Sequence, residues 1–110
     1  MLSKNKKINI NLFNEILKSG KKKEFKYFYI LYLKNNDQKN SHVTFVTPKK
    51  QFKKAVDRNS TKRKCFYIIN KLYSSILPSL NIIFFLRKEI TKLDFKEKEE
   101  EIKNSLLKIN

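Results

Sequence analysis

The segment Phe25–Leu33, FKYFYILYL, constrains the fold of this chain more than any other stretch. Its aromatic and aliphatic residues favour a β-strand, and they occupy both of the faces that a strand presents. Such a strand must be covered twice, because apolar surface is stable only when it is removed from water. The segment therefore predicts a sheet with a core on one face and a second covering on the other.

The first half of the chain predicts a helix followed by two strands. Apolar residues recur at helical spacing over residues 8–19, and Gly20 marks the helix end. The lysines that follow predict a basic turn, and Asn35–Ser41 predicts another turn. His42–Thr47 predicts a second strand, which we expect to pair antiparallel with Phe25–Leu33.

The second half predicts a helix, a strand and a helix. Helical periodicity runs to about Ile76, and Pro78 ends it. Leu80–Leu86, LNIIFFL, predicts a buried strand, and Asp94 is placed to cap a last helix that runs to about Lys108. The order of these elements is typical of an α+β protein, and 110 residues suffice for one domain.

Positive charge is concentrated before the last helix. The net charge is +16, and residues 94–110 hold five acids and four lysines. The first 93 residues therefore hold 22 bases and five acids, a net charge of +17. A field of this size attracts phosphate polymers or anionic lipid surfaces. A bias towards A/T-rich codons would also explain the number of lysines, but it does not explain where the bases cluster.

The densest cluster is the segment KKQFKKAVDRNSTKRK, which has eight bases and one acid over residues 49–64. On a helix, Arg58 and Lys62 lie one turn apart, as do Asn59 and Arg63. Like charges at this spacing destabilise an isolated helix by tenths of a kcal/mol. The unbalanced charge therefore favours a polyanionic ligand whose counterions are released on binding. An ordinary solvated face is the alternative interpretation.

Several classes of protein are disfavoured by the sequence. The apolar stretches Tyr27–Leu33 and Leu80–Leu86 are much shorter than the ~18–20 residues of a bilayer span. The first residues, MLSKNKK, do not resemble a signal peptide. The single Cys65 excludes an intrachain disulfide, and with the single His42 it excludes a Cys/His zinc site. The sequence predicts a cytoplasmic protein with no membrane and no disulfide partner.

The basic cluster resembles a motif of the protein component of bacterial ribonuclease P. That family is marked by K-K, a short spacer and A-x-x-R-N-x-x-K-R, which match here Lys49-Lys50, Ala55, Arg58-Asn59 and Lys62-Arg63. The segments LFNEILKSG, YILYL and NIIFFLRKEITKLDFKEKEEEIKNSLLK are similar to the family's first helix, first long strand, and last strand with C-terminal helix. The resemblance covers essentially the whole chain and implies a single ribonuclease P protein domain over residues 1–110.

The resemblance implies a fold and separate roles for the RNA subunit and the protein subunit. The fold would be an α-β-β-β-α-β-α two-layer sandwich with a left-handed βαβ crossover that includes the basic helix. The ribonuclease P RNA subunit would remove the 5′ leader of precursor tRNA, using Mg²⁺ bound by the RNA and its substrate. The protein would be the non-catalytic subunit of this enzyme, with no catalytic residue and no metal site of its own.

The resemblance also implies roles for particular residues. Those in contact with RNA would be Lys49, Lys50, Lys53, Lys54, Arg58, Asn59, Lys62 and Arg63. The leader would lie in a cleft between the first helix, the sheet and the basic helix, lined by Phe13, Leu17 and Tyr32. The chain departs from the family motif at Ser60, Phe66, Tyr67 and Asn70. We therefore expect weaker RNA affinity than that of a relative with the full motif, titrated in parallel at matched salt.

Other functions remain open on the sequence alone. A nuclease acting without RNA needs carboxylates that converge on metal ions, or a placed histidine. Half of the ten acids lie in the last helix, however, and His42 is predicted to be a surface residue. Attachment to a membrane surface needs a continuous apolar face opposite the charges. DNA binding has no helix-turn-helix spacing to support it. Only the motif spacing argues against a generic basic RNA-binding or ribosome-associated protein.

Overall fold

The helices and strands of the computed structural model follow one another in the order predicted by the resemblance. The structure describes residues 8–35, 40–75 and 79–109. The elements are α1 Ile10–Ser19, β1 Lys21–Glu24, β2 Phe28–Lys34, β3 His42–Val46, α2 Ala55–Leu72, β4 Leu80–Leu86 and α3 Phe95–Ile109. Short 3-10 helices span Tyr73–Ser75 and Lys88–Lys92. The α+β class and the order α-β-β-β-α-β-α are confirmed.

The sheet corrects the predicted pairing of strands. Its order is β1-β2-β4-β3, with β1 antiparallel to β2, β2 antiparallel to β4, and β3 parallel to β4. The predicted antiparallel pair of β2 and β3 is wrong, because β4 lies between them. Six of the seven residues of β4 are buried, so this strand takes a central position that covers both of its faces. Helix α2 supplies the long connection that parallel strands such as β3 and β4 require.

The three lysines after α1 form an edge strand and not the predicted turn. Lys21–Glu24 pair with β2 in register from Lys21 opposite Tyr32 to Glu24 opposite Tyr29, and all four are exposed. Lysine-rich edge strands resist pairing with another chain, because addition of a strand would bury or crowd the charges. The predicted turn over 35–41 lies partly outside the described residues, and the predicted helix end at 76–78 lies wholly outside them.

The main core covers one face of the sheet and α1 covers part of the other, so the doubly apolar β2 has the two coverings that were predicted. Every second residue of β4 points to the same face of the sheet and joins the main core, which includes residues of α2 and α3. These residues are Leu80, Ile82, Phe84 and Leu86. Ile83 points to the opposite face and is fully buried outside that core. Helix α1 packs against β2 and β4, and its buried residue, Ile16, also lies outside the main core. The sheet with α2 and α3 forms the sandwich, and α1 covers part of the opposite face.

Both ends of α1 are fixed by particular residues. The Asn9 side chain accepts a hydrogen bond of 2.8 Å from the backbone N–H of Leu12, which caps the first turn. At the other end, the N–H of Gly20 donates to the carbonyl oxygen of Ile16 at 2.7 Å. A Cβ at Gly20 would lie 2.5 Å from that oxygen and 3.1 Å from Ile16 Cγ2. The helix end thus has no room for a larger residue.

Replacing Gly20 by alanine is expected to lower the free energy of unfolding by about 1–3 kcal/mol, the usual cost of overpacking. The clash involves backbone atoms, which cannot turn away as the end of a side chain does. Urea denaturation of both proteins would measure the loss. Ser19→Ala at the neighbouring exposed position is the control and should change stability by no more than about 0.5 kcal/mol. Equal stability of the Gly20→Ala variant and the wild type would contradict the prediction.

The predicted cap of the last helix is confirmed. Asp94 Oδ1 accepts from the N–H of Glu97 at 2.8 Å, and Glu97 Oε1 accepts from the N–H of Asp94 at 3.0 Å. This reciprocal capping box satisfies two backbone donors at the start of α3. Further along, Glu99 pairs with Lys71 of α2 at 3.0 Å. Asp94 and Glu97 therefore begin the helix, and Glu99 helps to dock it on α2.

Candidate nucleic-acid interface

Three residues of the basic motif converge on one surface cavity. Asn59, Lys62 and Arg63 on α2 line a cavity of about 260 Å³ together with Phe66. Phe66 is buried, and its ring packs edge-on against Phe45 of β3 at a centroid distance of 5.0 Å. The three polar side chains are thus mounted on a helix whose other face is anchored in the core. One amide and two cations thus surround a buried aromatic ring.

Arg58 is used differently from the other predicted RNA contacts. Its Nη1 donates to the carbonyl oxygen of Phe52 at 2.8 Å and lies 3.3 Å from that of Lys53. Lys54 precedes α2 without a side-chain cap, so this guanidinium ties the first turn of the helix to the incoming loop. Arg58 is half-buried, whereas Lys62 one turn later is exposed. The structure therefore gives Arg58 a role in holding the loop that carries Lys49–Lys54.

Replacing Arg58 by methionine is expected to lower the free energy of unfolding by about 1.5–3 kcal/mol, the usual value for a hydrogen bond to a charged group. Methionine keeps most of the apolar stem and removes the bonds to the two carbonyl oxygens. Lys62→Met is the matched control, since it removes a cation from the next turn of α2 but leaves the loop intact. Thermal or urea unfolding would compare the two. An equal, small effect of both substitutions would mean that Arg58 does not hold the loop.

A second basic pocket lies between the loop before α2 and the 3-10 helix after β4. It has a volume of about 360 Å³, and its charged residues are Lys50, Lys53, Lys54, Asp57 and Lys88. Gln51 joins the two segments, because its Oε1 accepts from the backbone N–H of Lys88 at 3.1 Å. Lys49 is exposed in the preceding turn. Lys88 was not predicted from the sequence. The signal that could have identified it is its position just after the buried strand β4.

Of the three residues predicted to line the leader cleft, Phe13 and Leu17 lie one turn apart on α1, and Tyr32 lies apart from them. Phe13 is half-buried and Leu17 is 48% exposed, both on α1. Tyr32 lies directly opposite Ile82 in the sheet and packs against the main core, on the face away from α1. The neighbouring Leu31 lies opposite Ile83 and therefore shares the face that α1 covers.

The strand β2 was predicted correctly, but its phase, meaning which of its residues face which side of the sheet, was not. Every residue from Tyr27 to Leu33 is aromatic or aliphatic, so hydrophobic alternation cannot say which residues face which side. The pairing with β4 settles the phase, because residues directly opposite each other point to the same face. On the α1 side this register places Tyr29 and Leu31 where Tyr32 was expected.

Candidate catalytic groups are engaged within the fold. His42 is half-buried, and its Nδ1 forms a hydrogen bond of 2.9 Å with Oδ1 of the buried Asn81, so the predicted surface position is wrong. Burial raises the pKa of Cys65 to about 12, which leaves this thiol protonated and unreactive at neutral pH. Within the described ranges, no three His, Cys, Asp or Glu side chains are grouped as a metal site would require.

The fold and these two pockets define a small α+β protein with a basic surface suited to a polyanionic partner. Of the helices in the described residues, none combines the length and the apolar character that a bilayer span requires. The lone cysteine is buried, so it is not presented for a disulfide with another chain.

Comparisons with known proteins identify the family. The family model for ribonuclease P matches residues 2–110. The ribonuclease P protein component of Carboxydothermus hydrogenoformans is 30% identical over 98 residues, which are 89% of this chain and 76% of that protein. The chain belongs to the ribonuclease P protein family, as the basic motif indicated.

Solved structures confirm the fold. The RNase P protein from Thermotoga maritima superposes with a TM-score of 0.83 at 28% identity, covering 94% of this chain and 97% of that one. A Staphylococcus aureus RNase P protein mutant gives a TM-score of 0.83 at 24% identity, covering 96% of this chain and 88% of that one. The arrangement of helices and strands described above is therefore that of this family.

Proposed function

We propose that this chain is the protein subunit of a bacterial ribonuclease P, which binds the catalytic RNA and assists removal of the 5′ leader from precursor tRNA. The observation that carries the proposal is the convergence of Asn59, Lys62 and Arg63 on one cavity in a chain of this family. Their spacing along α2 matches the motif, and their side chains line the same cavity.

The two basic pockets are the proposed contacts with RNA. Lys62 and Arg63 in the first, and Lys50, Lys53, Lys54 and Lys88 in the second, would each neutralise a backbone phosphate. Each neutralised phosphate releases condensed counterions, which gives strong and salt-sensitive binding. The Asn59 carboxamide both donates and accepts hydrogen bonds, so it can also contact a base edge or a ribose hydroxyl.

The sheet face beside α1 is the proposed site of the single-stranded leader. Phe13 and Leu17 remain in this proposal, and Leu31 replaces Tyr32 on the strength of the β2 register. Leu17 is 48% exposed and Phe13 is half-buried, so both have apolar surface left to cover. Unpaired bases stack on aromatic rings such as that of Phe13 with little dependence on sequence.

Bond cleavage is assigned to the RNA subunit. Among the residues that the structure describes, no three His, Cys, Asp or Glu side chains are grouped as a metal site would require. We propose that Mg²⁺ is bound by the catalytic RNA and the precursor tRNA, where it supplies Lewis-acid chemistry. The protein's own residues would bind the leader, orient it and neutralise phosphates. We expect this activity in the cytoplasm.

Single-turnover cleavage of a precursor tRNA by a bacterial ribonuclease P RNA at low Mg²⁺, with and without the protein, tests the proposal. We expect the protein to restore cleavage that the RNA alone performs slowly under these conditions. Binding to both RNAs without restored cleavage would overturn the proposal and favour a generic RNA-binding or ribosome-associated protein. Cleavage by the purified protein without RNA would instead assign the chemistry to the protein.

A further inference from the structure

Two aromatic residues stack on each other at one end of the sheet. Tyr29 of β2 and Phe85 of β4 lie directly opposite in the register, with ring centroids 4.7 Å apart and planes only 6° from parallel. They belong to a row across the sheet that runs from Glu24 through Tyr29 and Phe85 to Val46. Both rings are half-buried, whereas Phe84 beside them is fully buried.

The pair lies on the sheet face that α1 covers only in part. Phe85 follows Phe84 in β4, so strand alternation turns it away from the main core. Ile83 on the same face is fully buried, and Ile16 is the buried residue of α1. Burial of this sheet face is therefore greatest at the row of Ile83 and smaller at the row of Tyr29 and Phe85. Cross-strand aromatic pairs also stabilise sheets, by about 0.2–1 kcal/mol, without any ligand.

Two cations lie beside the Tyr29 ring of this pair. Lys22 Nζ lies 4.7 Å from the centroid of the Tyr29 ring, and Arg87 Cζ lies 5.9 Å from it. Arg87 is also fixed by donation to the carbonyl oxygen of Phe25 at 2.7 Å. Glu24 lies 3.3 Å from Lys22 Nζ and 3.8 Å from Arg87 Nη2, so one carboxylate holds both cations. The stack thus carries two positive groups against one negative group.

We propose that Tyr29 and Phe85 form a stacking platform for an unpaired base of single-stranded RNA, with Lys22 and Arg87 beside it to meet the flanking phosphates. The inference rests on the proposed function, since the leader is the single-stranded RNA in question. A nucleobase matches this surface because it has an aromatic face between two phosphates. Glu24 holds the cations in place when no RNA is bound and competes with phosphate for them.

Fluorescence of the base analogue 2-aminopurine provides a direct readout of stacking. Precursor tRNAs carrying this analogue at one leader position each would be bound to the complex of protein and ribonuclease P RNA. We expect quenching at one or two neighbouring positions, lost with Tyr29→Leu or Phe85→Leu and kept with Tyr29→Phe. The same leucine variants should weaken binding of leader-bearing tRNA by about 5- to 150-fold, without effect on tRNA that lacks a leader.

Matched variants separate stacking from a loss of stability. Phe95→Leu removes a 40% exposed ring from α3 and should change neither quenching nor affinity. Lys22→Gln, on an exposed edge strand, should reduce the slope of log affinity against log salt by about 0.7, the value for one phosphate contact with a single strand. Glu24→Gln should tighten binding, because it removes the competing carboxylate.

Two results would overturn the inference and leave the proposed function standing. One is restored cleavage with wild-type protein but unchanged quenching at every leader position in Tyr29→Leu and Phe85→Leu. The other is an unchanged salt slope in Lys22→Gln. Failure of the wild-type protein to restore cleavage at low Mg²⁺ is a different outcome, which counts against the proposed function itself.

Discussion

Simultaneous replacement of Asn59, Lys62 and Arg63 by alanine is expected to abolish the ability of the protein to restore precursor-tRNA cleavage at low Mg²⁺. These side chains share one cavity on α2, so the substitution removes a whole contact surface. Loss of two charge-assisted contacts of about 1.5–3 kcal/mol each corresponds to at least about a 100-fold loss of affinity for the catalytic RNA. The slope of log affinity against log salt should fall by about 1.5, from two phosphate contacts.

Helix α3 offers a matched control for this variant. Lys96, Lys103 and Asn104 of α3 are also two bases and an asparagine, and all three are exposed. Their replacement by alanine lowers the net charge by the same amount, from +16 to +14. We expect this control to restore cleavage as the wild type does. Equal losses in both variants would mean that total charge matters and that the cavity on α2 is not a specific contact.

The proposed RNA surface does not depend on Arg58 in the same way. Arg58 belongs to the sequence motif, yet its guanidinium is bonded to backbone carbonyl oxygens of the loop before α2. Substitution of Arg58 would therefore disturb the placement of several loop lysines at once. For this reason it is left out of the triple variant, whose effect should come from lost contacts alone.

Replacing Phe84 by alanine is expected to lower the free energy of unfolding by about 3–5 kcal/mol, the usual cost of deleting a buried aromatic ring. Phe84 is fully buried in the central strand β4. Its ring packs edge-on against Phe28 at 5.3 Å and stacks on Phe45 at 4.8 Å. The loss combines the transfer energy of the ring with a cavity that neighbouring strands cannot close. A domain of this size typically has about 5–15 kcal/mol in total, so much of its stability would be lost.

Urea denaturation monitored by circular dichroism would measure this effect as a lower midpoint with an unchanged slope. Phe84→Leu retains much of the buried volume and should cost clearly less than the alanine variant. Phe95→Ala, at a 40% exposed position on α3, should cost far less than Phe84→Ala. A loss below about 1 kcal/mol for Phe84→Ala would contradict the central place of this ring in the core.

Much of the fold follows from local patterns in the sequence. The cap at Asp94, the helix end at Gly20 and the apolar strands β2 and β4 are all local in origin, and each is found as predicted. The spacing of Asn59, Lys62 and Arg63 likewise fixed their common surface, because a helix repeats every 3.6 residues. The strand Lys21–Glu24 was missed because lysine favours strands poorly and its pairing with β2 is a tertiary contact.

The sequence by itself determined that this chain folds as an α+β protein with a basic helix, since periodicity, caps and charge spacing act over a few residues. Only the tertiary structure decided that β4 separates β2 from β3, that Tyr32 faces the core while Tyr29 and Phe85 face the α1 side, and that Arg58 holds a loop. Strand order and strand phase depend on which apolar faces meet. A strand that is apolar on both faces fits either way until its partner is in place.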